Sequence, residues 1–319
     1  SVMGLTEILA NYRRLSRRVA DTAEAVLAMA PDALITIDIP EFSLRVAARV
    51  KARAPDLRTI HYVAPTVWAW RPGRALKMAK SIDHVLALLP FEPPYMEAAG
   101  MSCDFVGHPV VTEPQATEAE VAAFRATHAP DGGPLILALP GSRRAEIERL
   151  MPVFGAALHQ VMSHHPDARI ILPAAPAVAA QVAARVADWP GRAVVLDPRG
   201  VPPEEFAAQK RAAFGAANVA LAASGTVSLE LAATDTPMVI AYTMSWLSRK
   251  LIGALLRVDT VTLVNLVTDS RTIPEFLGEN CRPAPIAAAL SRLMDDERAR
   301  LDQLDAMALA MRRLGRGGE

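Results

Sequence analysis

The sequence predicts an α/β protein with two mostly parallel sheets, and three observations carry that expectation. Its short apolar runs are continuous rather than alternating, as expected of strands covered on both faces. Ala-rich helical stretches separate them, the pattern of repeated strand–helix units. Ten such runs can be counted, too many for one small sheet.

The opening stretch "SVMGLTEILANYRRLSRRVA" spaces Val2, Leu5, Leu9 and Tyr12 at helical intervals, with Ile8, Leu15 and Val19 extending the stripe. Arg13, Arg14, Arg17 and Arg18 gather on the other side, giving a basic amphipathic helix. Such a helix either docks on its own domain or rests on an anionic membrane surface, where each arginine contributes about 1 kcal/mol. On the second reading Val2, Met3, Leu5 and Leu9 face the lipid together with the four arginines.

Four strands are expected next: "DALITID" (32–38), "RTIHYV" (58–63), "HVLALL" (84–89) and "CDFVG" (103–107). "GHP" (107–109) and the polar "VTEPQATEAE" (111–120) read as a linker, placing domains at 1–112 and 113–290. Six more strands follow: "LILAL" (135–139), "RIILPA" (169–174), "RAVVLD" (192–197), "NVALAAS" (218–224), "PMVIAY" (237–242) and "VTLV" (261–264). The last segment, 291–319, is expected to be a helix packing back toward the first domain.

Composition narrows the function. With 34 Lys+Arg against 34 Asp+Glu the chain carries no net charge, which argues against a nucleic-acid partner. Cys103 and Cys281 stand too far apart for a metal or disulfide framework and suit a reducing compartment. No apolar run approaches the roughly 20 residues of a membrane span.

In open α/β sheets ligands sit beyond the carboxyl ends of strands. After 135–139 comes "PGSRRAEI", where Gly141 permits a tight turn, Ser142 can cap the following helix and Arg143 offers a forked cation. An anion site and a plain cap with a solvated arginine fit this motif equally well. After 218–224 comes "SGTVSLE", which repeats the device with Ser224, Gly225 and Thr226. Glu230 falls one residue beyond the capping-box position and can instead accept hydrogen bonds from a ribose diol. Two such turns in one domain favour a nucleotide. No Gly-Lys-Ser/Thr and no G-x-G-x-x-G is present, so neither a Walker site nor a dinucleotide cofactor is indicated.

In the first domain, Asp38 ends a strand just before Pro40, where a turn aspartate and a catalytic base both fit. Trp68 and Trp70, half of the chain's 4 tryptophans, lie in "HYVAPTVWAWRPGR", as a hydrophobic plug or as a rigid wall beside a cleft. His61 reads as a core residue.

Taken together, "SVMGL", "IDIPEF", "HYVAPTVWAWR", "LPFE", "GHP", "LPGSR", "ASGTVSLE" and "LVNL" resemble the lipid-A-disaccharide synthases in order and over nearly the whole chain. The resemblance implies a GT-B fold, two Rossmann-like domains with mostly parallel sheets facing across a cleft. It implies inverting transfer of 2,3-diacylglucosamine from its UDP carrier to 2,3-diacylglucosamine 1-phosphate. The products are the β-1,6 disaccharide 1-phosphate and UDP. It implies no metal or cofactor, a cytoplasmic enzyme peripheral to the inner membrane face, acylated donor and acceptor as partners, and a homodimer. It implies Asp38 as the base, and Arg143 with Gly141 and Ser142 at the diphosphate. Ser224, Gly225 and Thr226 line the second phosphate turn, Glu230 meets the ribose, and Asn265 lies near the nucleotide. Family members also carry an earlier strand–helix–strand with a Gly-rich turn that these residues do not include. Another UDP-sugar enzyme of the same fold, or an inactive membrane-associated remnant, are the competing expectations.

Overall fold

The computed structural model describes residues 5–68, 73–191, 193–243 and 258–317, with side chains from residue 13 onward. The chain divides into two compact units, the first ending at His108 and the second beginning at Pro109, with a short segment ending at Val258 assigned to the first.

The first unit opens with α1 (Leu5–Met29), which packs on α2 (Pro40–Lys51) and buries Val19 and Ala23. Four parallel strands pair in chain order: β1 (Ala33–Ile37), β2 (Arg58–Tyr62), β3 (His84–Ala87) and β4 (Ser102–Phe105). Helices α3 (Gly73–Met78) and α4 (Pro93–Glu97) fall between them. One face of the sheet presents Leu34, Val85, Ala87 and Cys103 to Val46, Val50 and Met78, forming the core. On the opposite face of β1, Ile35 and Ile37 are 59% and 66% exposed. Alternation of side chains along the strand turns these two together to the same side.

In the second unit a 3-10 turn (Pro109–Val111) leads to α5 (Glu118–His128). Thr117 and Glu120 close a reciprocal capping box there, so the polar stretch read as a linker is in part a helix start. There follow β5 (Leu135–Leu139), α6 (Arg144–His164), β6 (Arg169–Pro173), α7 (Ala179–Val186), β7 (Val194–Leu196), α8 (Pro203–Ala216), β8 (Val219–Ala222), α9 (Val227–Ala233) and β9 (Met238–Tyr242). The unit closes with α10 (Leu263–Thr268), β10 (Glu275–Leu277), α11 (Pro283–Asp295) and α12 (Glu297–Arg313). The sheet is parallel, in the order β7-β6-β5-β8-β9-β10. All five residues of β5 are buried, and Ile136, Phe154, Leu158 and Ile170 belong to the core that flanks it. That burial on both faces is why these strands read as unbroken apolar runs.

One expected strand is corrected. "VTLV" leads into α10, and the last strand is Glu275–Leu277. Glu275 accepts the backbone N–H groups of Val261 and Thr262 and the Thr260 hydroxyl, so a carboxylate occupies donors that a sheet ladder would have used. A short β-branched run does not by itself distinguish a strand from a helix start. The closing helix α12 packs on α9, α10 and α11. Its Gln303 side chain accepts from Met238 N at 2.7 Å and donates to Met238 O at 3.0 Å, tying it to β9. These partners lie in the second unit.

Candidate functional site

Strands β5 and β8 are neighbours at the point where the sheet order reverses, β6 and β7 lying to one side and β9 and β10 to the other. Loops leaving the carboxyl ends of such a pair diverge and open a crevice. Both turns singled out in the second half leave this pair, and they line one cavity of ≈ 570 Å³.

After β5 the chain turns at Gly141, whose φ of +112° suits glycine. A Cβ there would stand 2.5 Å from Glu146 Oε2 and 2.8 Å from Glu146 Cβ. Glu146, only 8% exposed, accepts from Ser142 N at 3.1 Å, Arg143 N at 3.2 Å and Arg143 Nη1 at 3.0 Å. The expected cap is therefore corrected: Arg143, not Ser142, is the N-cap of α6, and Glu146 at the third helical position satisfies the donors from within. The Arg143 side chain remains 80% exposed at the cavity rim.

After β8, Ser224, Gly225 and Thr226 lead into α9. Thr226 is the N-cap but makes no side-chain capping bond, and Ser228 Oγ instead donates to Gly225 O at 3.0 Å. The Thr226 hydroxyl is not consumed by the helix it precedes. Glu230, one turn in, accepts from Lys210 Nζ of α8 at 2.6 Å, and the same ammonium lies 5.1 Å from the centre of the Phe214 ring. Phe206 of α8 and the segment 173–176 after β6 complete the walls. The cavity thus offers an apolar wall, small hydroxyl-bearing turns, two cations and two carboxylates, the complement of a nucleoside diphosphate.

Asn265 lies elsewhere. It is 1% exposed, its amide donates to Ile273 O at 2.9 Å and Thr260 Oγ1 at 3.3 Å, and its oxygen accepts from Ile273 N at 3.0 Å. It braces the approach to β10 and lies outside the residues lining this cavity. Sequence reasoning passed over Glu146, Phe206, Lys210 and Phe214. Glu146 carried no capping-box signature, because Ala145 stands three residues after Ser142 and arginine is not a capping residue type; the α8 residues reach the site only through packing.

In the first unit Asp38 is exposed at the end of β1 and begins an unusual turn. Asp38 and Ile39 have φ values of 46° and 44°, two consecutive left-handed residues, the second β-branched. Such a conformation is disfavoured for L-residues and persists only where surroundings impose it. Here Asp38 N donates to Tyr62 O at 3.0 Å, and Ser43 Oγ donates to Asp38 O at 2.7 Å. His61 is fully buried beside this turn; its Nδ1 lies 2.8 Å from Thr36 Oγ1, and its Nε2 has no partner among the described residues. Burial lowers the His61 pKa, and the Asp38 charge opposes that in smaller measure.

The tryptophan loop divides. Trp70 lies outside the described residues. Trp68 is 7% exposed, meets Phe91 edge-on at 5.2 Å, and donates from Nε1 to Glu92 Oε1 at 3.3 Å. Glu92, 3% exposed, also accepts from Leu88 N and Leu89 N, and burial pushes its pKa up to about 7. Trp68 is thus a plug pinned by an internal carboxyl group.

Of the membrane-facing candidates, Val2 and Met3 lie outside the described residues, as do the side chains of Leu5 and Leu9. Arg13, Arg14, Arg17 and Arg18 are exposed on α1, with Arg17 4.0 Å from Asp21. Among the described residues, no helix is long and apolar enough to cross a membrane, and no cluster of metal-ligating side chains is found.

Comparison with known proteins gives the fold first. A UDP co-structure of MnaA from S. aureus aligns with a TM-score of 0.65 and 13% identity, covering 92% of this chain and 76% of that one. A UDP-GlcNAc 2-epimerase from Neisseria meningitidis, bound to UDP-GlcNAc, aligns at 0.62 with 10% identity, covering 92% and 79%. At such identity the likeness speaks for the GT-B fold alone. Sequence comparison is closer. The lipid-A-disaccharide synthase of Ruegeria pomeroyi is 63% identical over 318 residues, spanning 100% of this chain and 78% of that protein. That of Rhodospirillum centenum is 46% identical over 319 residues, spanning 99% and 77%. The family model described as lipid-A-disaccharide synthetase matches residues 1–314, and the chain belongs to that family.

Proposed function

We infer that the chain forms the lipid A disaccharide by inverting transfer of 2,3-diacylglucosamine from UDP to 2,3-diacylglucosamine 1-phosphate, with UDP held in the β5–β8 crevice. The observation that supports this most is that both phosphate-type turns and Glu230 line one cavity at the switch point of the sheet. In this reading Arg143 and Lys210 meet the diphosphate, Ser224 and Thr226 hydrogen-bond its oxygens, Gly141 and Gly225 shape the turns, and Glu230 accepts from the ribose. Phe206 and the segment 173–176 flank the base. Asn265 supports the site from behind rather than touching the nucleotide.

Asp38 is proposed as the general base. It takes the proton of the acceptor hydroxyl as that oxygen forms its bond to the anomeric carbon. The bond to UDP breaks on the opposite face, and UDP leaves with the electron pair, stabilised by the two cations. The strained turn that presents Asp38 is the kind of local cost found at functional positions. The chemistry uses no metal or cofactor. Acyl chains on both sugars place the reaction at the inner face of the cytoplasmic membrane, and the exposed arginines of α1 suit an anionic surface. A homodimer belongs to the same proposal, and sedimentation velocity tests it.

The experiment is to supply both acylated sugars and follow UDP release and disaccharide by mass spectrometry. The expected result is stoichiometric UDP and disaccharide. UDP binding without turnover would instead support the inactive remnant, which the family match does not favour. Isomerised UDP-sugar without acceptor would support an epimerase.

A further inference from the structure

A second cavity, larger than the β5–β8 crevice, lies in the first unit. It is a groove of ≈ 1030 Å³ between α2 and α3. Its lining is unusual in charge. Arg45, Lys51, Arg74, Lys77 and Lys80 all border it, and Glu41 is the one carboxylate among the described residues that do. Between the cations lie apolar groups: Leu44 and Ala48 of α2 and Ala52 at its C-cap follow one another at four-residue intervals.

The two ends of the groove differ. At the far end Lys51 is spent on the fold, donating to Asp83 Oδ2 at 2.8 Å and to Leu57 O at 2.9 Å. At the near end Arg74 Nη2 donates to Glu41 Oε1 at 2.8 Å, and Arg45 stands 3.9 Å from the other oxygen of the same carboxylate. That end is formed by Pro40 and Glu41, immediately after the strained Asp38–Ile39 turn. Lys77 and Lys80 are exposed along the groove wall.

We propose that the α2–α3 groove binds the phosphate monoester of the acceptor sugar, with Arg74, Lys77 and Lys80 holding the phosphate and the Leu44–Ala48–Ala52 stripe receiving the adjoining acyl chain. A dianionic phosphate attached to apolar chains matches a cationic rim over an apolar floor. The position matches as well. The acceptor's hydroxyl must reach Asp38 while its phosphate sits on the opposite side of the same sugar ring, and the groove starts beside that residue. Glu41 is the counter-ion that the phosphate displaces from Arg74. The inference takes the identity of its ligand from the glycosyltransferase reading.

The test compares wild type with K77Q/K80Q and K77R/K80R in neutral detergent micelles, varying donor and acceptor separately. Both lysines are exposed, so folding is expected to survive, and UDP binding verifies it. We expect the glutamine pair to raise the acceptor KM about tenfold or more while the donor KM stays within twofold, and the arginine pair to restore it. Glu41→Gln should lower the acceptor KM. An unchanged acceptor KM in the glutamine pair overturns the inference. So does loss of binding to phosphatidylglycerol vesicles with acceptor kinetics intact, which would make the groove a membrane contact. If wild type releases no UDP from the two acylated sugars, the activity itself fails, a result distinct from either.

Discussion

Lys210 of α8 and Glu230 of α9 meet at 2.6 Å across the mouth of the crevice. Each is a residue that a nucleotide would want, the first for phosphate and the second for ribose. Their side chains are 40% and 30% exposed, so the pair is worth little to folding once solvent screening is allowed for. On the proposed reading its importance is to binding. Glu230→Gln should weaken UDP affinity about tenfold through loss of a charged acceptor, with a smaller change for UDP lacking its ribose hydroxyls. Calorimetric titration measures both, and equal affinity in variant and wild type would remove Glu230 from the ribose.

Gly141→Ala tests the turn after β5. The added methyl meets Glu146 at under 3 Å, in a backbone conformation with φ +112°. The expected cost is about 2 kcal/mol or more in stability, with UDP affinity reduced because the Glu146 clasp on Ser142 N and Arg143 N is displaced. A melting curve and UDP titration matching wild type would show that the clasp does not shape the site.

Asp38→Asn should reduce turnover by about 10²–10⁴ while leaving UDP affinity within twofold. The amide keeps the size of the side chain, and the backbone bonds of the turn do not involve the carboxylate. Single-turnover measurement with saturating sugars separates the chemical step from binding. Retained turnover would assign the proton to another group.

Glu92 predicts a pH dependence of stability. Burial raises its pKa from an ordinary 4.5 to about 7, against the smaller opposing effect of three donated hydrogen bonds. The native state therefore holds this proton where the unfolded chain has released it. The stabilisation is complete below about pH 4.5 and is lost as pH rises through 7, on the order of 3 kcal/mol over that window. His61, whose pKa burial lowers, acts in the opposite sense, costing stability as pH falls through the range where the unfolded imidazole gains a proton. The difference between wild type and Glu92→Gln isolates the first effect: the variant's melting temperature should fall less between pH 5 and 7.5. Parallel profiles would contradict it.

How much of this was legible depends on whether a feature is local. Nine of the ten expected strands stand where the apolar runs put them. Strands β5 and β8 are buried on both faces, as a continuous run implies, whereas β1 to β4 bury alternate residues and their outward side chains merely happen to be apolar often enough to read as runs. "VTLV" failed because the deciding partner, Glu275, lies a loop away in the chain. The turns at Gly141 and Ser224 were readable from strand-end position, yet nothing local said that they share a cavity; the strand order does that. Lys210 and Phe214 sit on α8 among alanines, and only the packing of α8 beside the crevice gives them meaning. Asn265 shows the reverse: a motif residue near the site by resemblance, but spent entirely on internal hydrogen bonds. The Asp38–Ile39 strain has no sequence signature, since neither residue is glycine.

The two internal ion pairs of the crevice, Arg143 with Glu146 and Lys210 with Glu230, have a consequence in any medium rich in small anions. A bare cationic cradle would be fouled there by free orthophosphate and unrelated nucleotides. With each positive group already matched by a carboxylate, a small anion gains little by entering. On the proposed reading, a visitor that also offers hydroxyls to Glu230 and a ring to the Phe206 wall compensates for the partners it separates, and resting neutrality would then act as a selectivity filter.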